Sequence, residues 1–170
     1  MDKINHDMVY LCSENARIKL KTLASTLKMS SQRLKYSFAV LEKGNILYNP
    51  YCVFDYSYFG LVLFKVYFKG GYIVENDKQE IIKKLSENPY VVSLYEMSGE
   101  FDLAIEIISP NPSRFNKELR KVAGLIPTLN KYKVILNIVS HIYPKSYFSK
   151  NIEIISNVPP EIIIGGDRER

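Results

Sequence analysis

Two short stretches of this chain hold residue types that could recognise another molecule. The first is Ser98-Gly99-Glu100-Phe101-Asp102. A glycine turn exposes backbone N–H groups that can hold a small carboxylate. Asp102 falls on the polar side of the strand that follows, where it could receive an ammonium group. Opposite charges so placed suit an amino acid. On spacing alone, an ordinary hairpin turn whose Asp bonds its own backbone is the simpler account. The second stretch is the start of a basic helix: Ser30, Ser31, Gln32, Arg33, Lys35, Tyr36 and Ser37. Arg can read guanine and Gln adenine, while Ser, Lys and Tyr can hold phosphate. A solvated basic face is the bland alternative. Position favours double-stranded DNA, because this helix is the third of three and a hairpin is expected to follow it. Arg17, Lys19 and Lys21 fit phosphate contacts and a solvated face equally well.

Other chemistry finds no support. There is no Gly-x-Ser-x-Gly, no phosphate-loop lysine motif and no His-Glu-x-x-His, so no catalytic residues are expected. Cys12 and Cys52 are too few and too scattered for a disulfide framework or a zinc site. Cys12 falls on the apolar face of the first helix and reads as a core thiol. His6 and His141 have no nearby ligand-type partners, so neither a metal nor a cofactor is expected.

The elements that would position these residues follow from periodicity. Ile4, Met8, Leu11 and Cys12 form a helical stripe, and Leu20, Leu23, Ala24 and Leu27 form a second. A third helix begins at Ser30 or Ser31, buries Leu34, Phe38 and Leu41, and ends at Gly44, where a left-handed residue is expected. Ile46–Tyr48 and Tyr51–Phe54 read as a hairpin around Asn49-Pro50. Three helices and a hairpin make a winged helix-turn-helix head over residues 1–54.

The body, residues 55–148, reads as strand, helix, strand, strand, helix, strand. The expected strands are Leu61–Phe68, Val91–Met97, Leu103–Ile108 and Val134–Ile142; the helices are Glu75–Glu87 and one carrying Phe115, Leu119, Val122 and Ala123. That order is the ferredoxin-like βαββαβ sandwich, so the fold class is α+β. Tyr67, Val92, Leu94, Ile135 and Val139 are apolar in excess of what one helix layer covers, which predicts a homodimer joined through the sheets. Residues 149–170 read as an extension: Asn151–Ser156 as a short strand, Glu161–Ile164 as another, and 165–170 as an open linker. The sequence leaves open whether 170 residues are the whole natural chain.

Composition sets the outer bounds. Hydrophobic residues make up 46%, enough for a packed core. No apolar run is long enough to cross a membrane, and the N-terminus lacks the apolar stretch of a signal peptide, so a cytoplasmic protein is expected. The net charge of +5 is uneven: residues 1–54 carry +4, residues 55–150 carry +3 and residues 151–170 carry −2. A basic head suits a phosphate backbone.

Two blocks in order resemble the leucine-responsive regulator (Lrp/AsnC, feast/famine) family. One comprises Leu23-Ala24, Ser30 and Leu41-Glu42-Lys43-Gly44-Asn45-Ile46; the other is Pro89-Tyr90-Val91 followed by Gly99-Glu100-Phe101-Asp102. The resemblance covers about residues 1–148. It implies a transcription regulator with dimers that associate further, and a small-molecule effector such as an amino acid at Gly99, Glu100, Phe101 and Asp102. Ser37 stands where the family usually has Arg, with Arg33 and Lys35 supplying charge nearby. Asn130-Lys131-Tyr132-Lys133 stands where the family often has Thr or Ser. The competing reading is a stand-alone small-molecule sensor or protein-interaction module that does not bind DNA.

Overall fold

The computed structural model describes residues 4–47, 53–70, 75–126 and 128–166. Along the chain run α1 (His6–Glu14), α2 (Leu20–Thr26), α3 (Ser31–Lys43), β1 (Val62–Gly70), α4 (Glu75–Ser86), β2 (Val91–Glu96), β3 (Leu103–Ser109), α5 (Pro112–Gly124), β4 (Leu129–Asn137), β5 (Val139–Ile142), α6 (Ile152–Ser156) and β6 (Ile162–Gly165), with 3₁₀ turns at Tyr56–Phe59 and Ser146–Phe148. The chain divides into two compact units. One comprises Met1–Phe54 with His141–Ile162, the other Asp55–Ser140 with Ile163–Arg170.

In the first unit, polar caps start α1 and α3. The Asn5 side chain accepts from the Met8 N–H at 3.0 Å, and the Ser30 hydroxyl accepts from the Arg33 N–H at 3.3 Å. Met8, Leu11, Leu23, Ala24, Leu34 and Leu41 form one buried cluster. The left-handed residue expected at Gly44 is Asn45 instead, with φ +52°, while Gly44 has φ −82°. Asn tolerates that conformation better than most side chains. The Asn45 N–H donates to the Glu42 carbonyl and the Ile46 N–H to the Leu41 carbonyl, so the helix closes one residue later than the glycine marks. Most of the expected hairpin, residues 48–52, lies outside the described residues. The flanking Ile46–Leu47 and Val53–Phe54 carry no strand.

The second unit is built on a four-stranded antiparallel sheet in the order β2-β3-β1-β4. Strand alternation puts Phe64, Val66 and Phe68 of β1 on one face with Ile105 and Ile107 of β3. Ile81 and Leu85 of α4 and Phe115, Leu119 and Val122 of α5 cover that face. Phe115 stacks on Phe64 with ring centroids 3.9 Å apart. α5 starts where Asn111 accepts from the Arg114 N–H at 2.8 Å, with Pro112 in the first turn, where its missing N–H costs nothing. The first three expected strands and both helices of this βαββαβ order are present, β1 running on to Gly70.

The C-terminal third departs from expectation. The anticipated strand Val134–Ile142 is two strands: β4 starts earlier and stops at Asn137, and β5 pairs with β6 in a separate two-stranded sheet. At the break, the Asn137 side chain donates to Ser140 at 2.9 Å and the Ile138 carbonyl accepts from the Gly166 N–H at 2.9 Å. Val139 therefore adds nothing to the body sheet. Leu94 packs partly buried against the core, while Val92 and Ile135 are exposed. Asn151–Ser156 is not a strand. The Asn151 side chain accepts from the N–H groups of Glu153 and Ile154 and so caps a helical turn. Gly165 and Gly166 are not an open linker either: the Gly165 N–H donates to Asp55 at 3.0 Å.

Candidate nucleic-acid interface and ligand turn

α3 buries Leu34 and Leu41 and presents Ser31, Gln32, Arg33, Lys35 and Tyr36 to solvent. All five can bond a base edge or a phosphate with an exposed side chain. The other two expected residues are committed locally. Ser30 caps the helix, and the half-buried Ser37 donates its hydroxyl to the Arg33 carbonyl at 3.1 Å. Arg17, Lys19 and Lys21 are exposed ahead of and within the first turn of α2. Between α2 and α3 the chain turns through Lys28, which has φ +52°, and the Met29 N–H donates to the Ala24 carbonyl at 2.9 Å. The turn angle between these helices thus rests on a left-handed lysine, a position where glycine would be unstrained.

The turn at Gly99–Asp102 is held by lysines of the chain itself. Gly99 has φ +127°, which excludes most side chains. The antiparallel register sets Phe68 opposite Leu103, so the next residue of β1, Lys69, meets Asp102. Lys69 Nζ lies 3.1 Å from Asp102 Oδ1, and the Gly70 N–H donates to Asp102 Oδ2 at 2.9 Å. Asp102 therefore bonds a neighbouring strand rather than its own backbone. The hydrogen bond from Lys69, then that from the Gly70 N–H, holds its carboxyl below the usual Asp range. The ammonium partner foreseen for Asp102 is thus already supplied by Lys69.

Glu100 is likewise paired, with Lys131 of β4 at 3.2 Å. Lys131 also lies 5.5 Å from the centroid of the Phe101 ring, which tilts against Tyr67. Beside the turn a cleft of about 290 Å³ has Phe68, Ile81, Leu103 and Ile126 among its walls and Asp102 at its rim. The rim also carries the Lys78–Glu96 ion pair. Lys69 and Lys78 were not foreseeable as site residues, because the strand register brings Lys69 to the turn and the packing of α4 brings Lys78 to the cleft; Lys131 is singled out by the sequence, but its pairing with Glu100 is not. The sequence signal for Lys69 and Lys131 is position near the ends of β1 and β4.

Among the described residues, no group of three or more His, Cys, Asp or Glu side chains converges to hold a metal, and no helix is long and apolar enough to cross a membrane. Burial pushes the Cys12 thiol up to about 11, which makes it a poor nucleophile at neutral pH.

No protein-family model matches the sequence. The chain is 24% identical to the HTH-type transcriptional regulator FL11 of Pyrococcus furiosus over 132 residues, which span 74% of this chain and 82% of FL11. The crystal structure of the Pyrococcus horikoshii protein PH0061, an uncharacterized HTH-type transcriptional regulator, superposes with a TM-score of 0.69 at 23% identity, covering 81% of this chain and 94% of that one. An AsnC family transcriptional regulator from Agrobacterium tumefaciens gives 0.72 at 16% identity, covering 85% and 95%. The Neisseria meningitidis transcriptional regulator NMB0573, solved as an L-Met complex, gives 0.70 at 13% identity, covering 81% and 90%. The chain thus has the fold of AsnC-family transcription regulators, and it resembles them in the order of its sequence blocks as well.

Proposed function

We propose that this protein is a sequence-specific DNA-binding transcription regulator, modulated by a small molecule such as an amino acid. In this reading residues 1–54 act as a winged helix-turn-helix whose α3 enters the major groove. The ferredoxin-like body binds the effector and joins homodimers, with higher oligomers built from them. It is a cytoplasmic regulator and not an enzyme. The observation that carries the reading is α3 itself: Gln32, Arg33, Lys35 and Tyr36 stand exposed at the start of the third helix of the head, on the side away from its core. The resemblance to named HTH-type regulators supports it.

For the effector, the support is the charge pattern at Gly99–Asp102. Two carboxylates, each already matched by a lysine, present both signs of charge beside an apolar cleft. An amino acid carries the same two charges and an apolar body. It would bind by exchanging its ammonium for Lys69 at Asp102 and offering its carboxylate to the lysine released. That NMB0573 was solved with L-Met supports an amino acid as the first ligand class to test.

The test is an electrophoretic shift of the chain against its own upstream DNA, with random DNA as competitor, at two salt concentrations. A regulator gives a shift that survives competitor and weakens with salt through counterion release. The Arg33→Ala, Lys35→Ala double variant, with circular dichroism unchanged, loses the shift. Unchanged binding in that variant removes α3 from the interface. No shift at low salt favours the stand-alone sensor.

A further inference from the structure

The C-terminal segment has no role in the reading above, yet it packs into the first unit's core. Ile154 of α6 is 3% exposed and belongs to the same buried cluster as Met8, Leu23 and Leu34. Phe148, Ile155 and Val158 pack against the same cluster. Polar bonds pin the segment to α1. The Ser149 hydroxyl, itself buried, lies 2.6 Å from Asp7 Oδ1. The Lys145 N–H donates to Glu14 Oε1 at 3.0 Å, and Lys145 Nζ lies 3.6 Å from the same oxygen. The ends of the segment are tied to each other, with His141 Nδ1 2.6 Å from Glu161 Oε1. A loop closed at its base in this way opens as a unit.

We propose that residues 143–158 form a strap that completes the head, and that the head holds DNA only while the strap is docked on α1. The proposal rests on the regulator reading for its second half. A core built by three short helices has little stability to lose, so a buried Ile from a distant segment decides how well α1 and α3 are ordered. The strap leaves the outward side chains of α3 exposed. It therefore acts through the order of the head and not by covering the recognition surface. Local opening of the strap is then a built-in off position.

The test compares Ile154→Asp with Ile152→Asp in the full chain. Both place one charge on the same short helix, but Ile152 is 81% exposed. Hydrogen exchange and DNA titration are the readouts. Ile154→Asp is expected to speed amide exchange in α1 and α3 by about tenfold or more, leave β1 and β3 unchanged, and weaken DNA binding by a similar factor. Ile152→Asp changes neither. Unchanged exchange in α1 and α3, or a loosened head with unchanged DNA affinity, overturns the strap. If Ile154→Asp unfolds the whole chain, Ser149→Ala removes the bond to Asp7 and the acceptor of the Asn151 N–H within the strap, and unchanged exchange in α1 then counts against the proposal. The exchange arm needs no DNA. A wild-type chain that binds none, yet loosens in the head on Ile154→Asp, supports the strap as a head-ordering element and overturns the regulator reading.

Discussion

Asp102 has a lowered pKa in the folded chain because Lys69 and the Gly70 N–H both favour its charged form. Its contribution to stability is therefore complete above the pKa of an unfolded Asp and fades as pH falls through the lower folded value. Lys69→Met is expected to return the Asp102 carboxyl toward the ordinary range, read by the pH dependence of its side-chain carbon shift in NMR. An unmoved titration would mean that the Gly70 N–H alone sets it. The second residue-scale prediction concerns backbone strain. Lys28 and Asn45 both sit at φ +52°. Lys28→Gly and Asn45→Gly should each raise stability in urea denaturation, by up to about 1 kcal/mol, with the lysine site gaining more because Asn already tolerates this region. Gly44→Ala should not bring a comparable gain although its φ is ordinary, since an added Cβ would stand 3.2 Å from the Val40 carbonyl oxygen, which must give by a few tenths of an ångström.

At the scale of elements, the body depends on the contact between its sheet and α5. Phe115 is buried and stacks on Phe64, so Phe115→Ala should cost about 3–5 kcal/mol of body stability by thermal or urea unfolding. A loss below about 1 kcal/mol would mean that α5 collapses onto the cavity or is not packed as described. This helix was legible in the sequence, because Phe115, Leu119, Val122 and Ala123 recur at helical spacing. Glu118 was not. It lies one residue from the same stripe, yet it is 1% exposed, bonded by Lys121 at 3.0 Å and Asn88 at 3.3 Å. A periodicity argument sees only the apolar residues and has no means of pairing a buried carboxylate. The α3 surface could be read because a capped amphipathic helix fixes its own outward face. At Gly99–Asp102 the turn was legible and Lys69 was not, since Lys69 reaches Asp102 only through the β1–β3 register. α6 was hidden for a different reason. Ile152, Ile154 and Ile155 favour strands as isolated residues, but the Asn151 cap and burial of Ile154 among residues far away in sequence override that preference.

For the whole molecule, β4 is the strand that most needs a partner. Register places Tyr132, Val134 and Leu136 opposite Phe68, Val66 and Phe64, so they lie on the helix-covered side of the sheet. The helices stop short of them: Tyr132 is 50% exposed and Leu136 51%, and Ile135 is exposed on the other face. Apolar residues exposed on both faces of an edge strand form an aggregation hazard unless a second subunit covers them. A twofold homodimer solves this, since the same patch then meets itself. Val134→Lys with Leu136→Lys should therefore lower the sedimentation coefficient toward that of a monomer while circular dichroism stays unchanged. An unaltered coefficient would remove β4 from the interface. On the regulator proposal, DNA binding should fall with the dimer, since two heads on one dimer would engage two half-sites and the second contact would gain from the local concentration set by the first. The monomerised variant keeps Arg33 and Lys35 intact, so it should still bind non-specifically at low salt, and lose the part of its affinity that competitor DNA cannot remove.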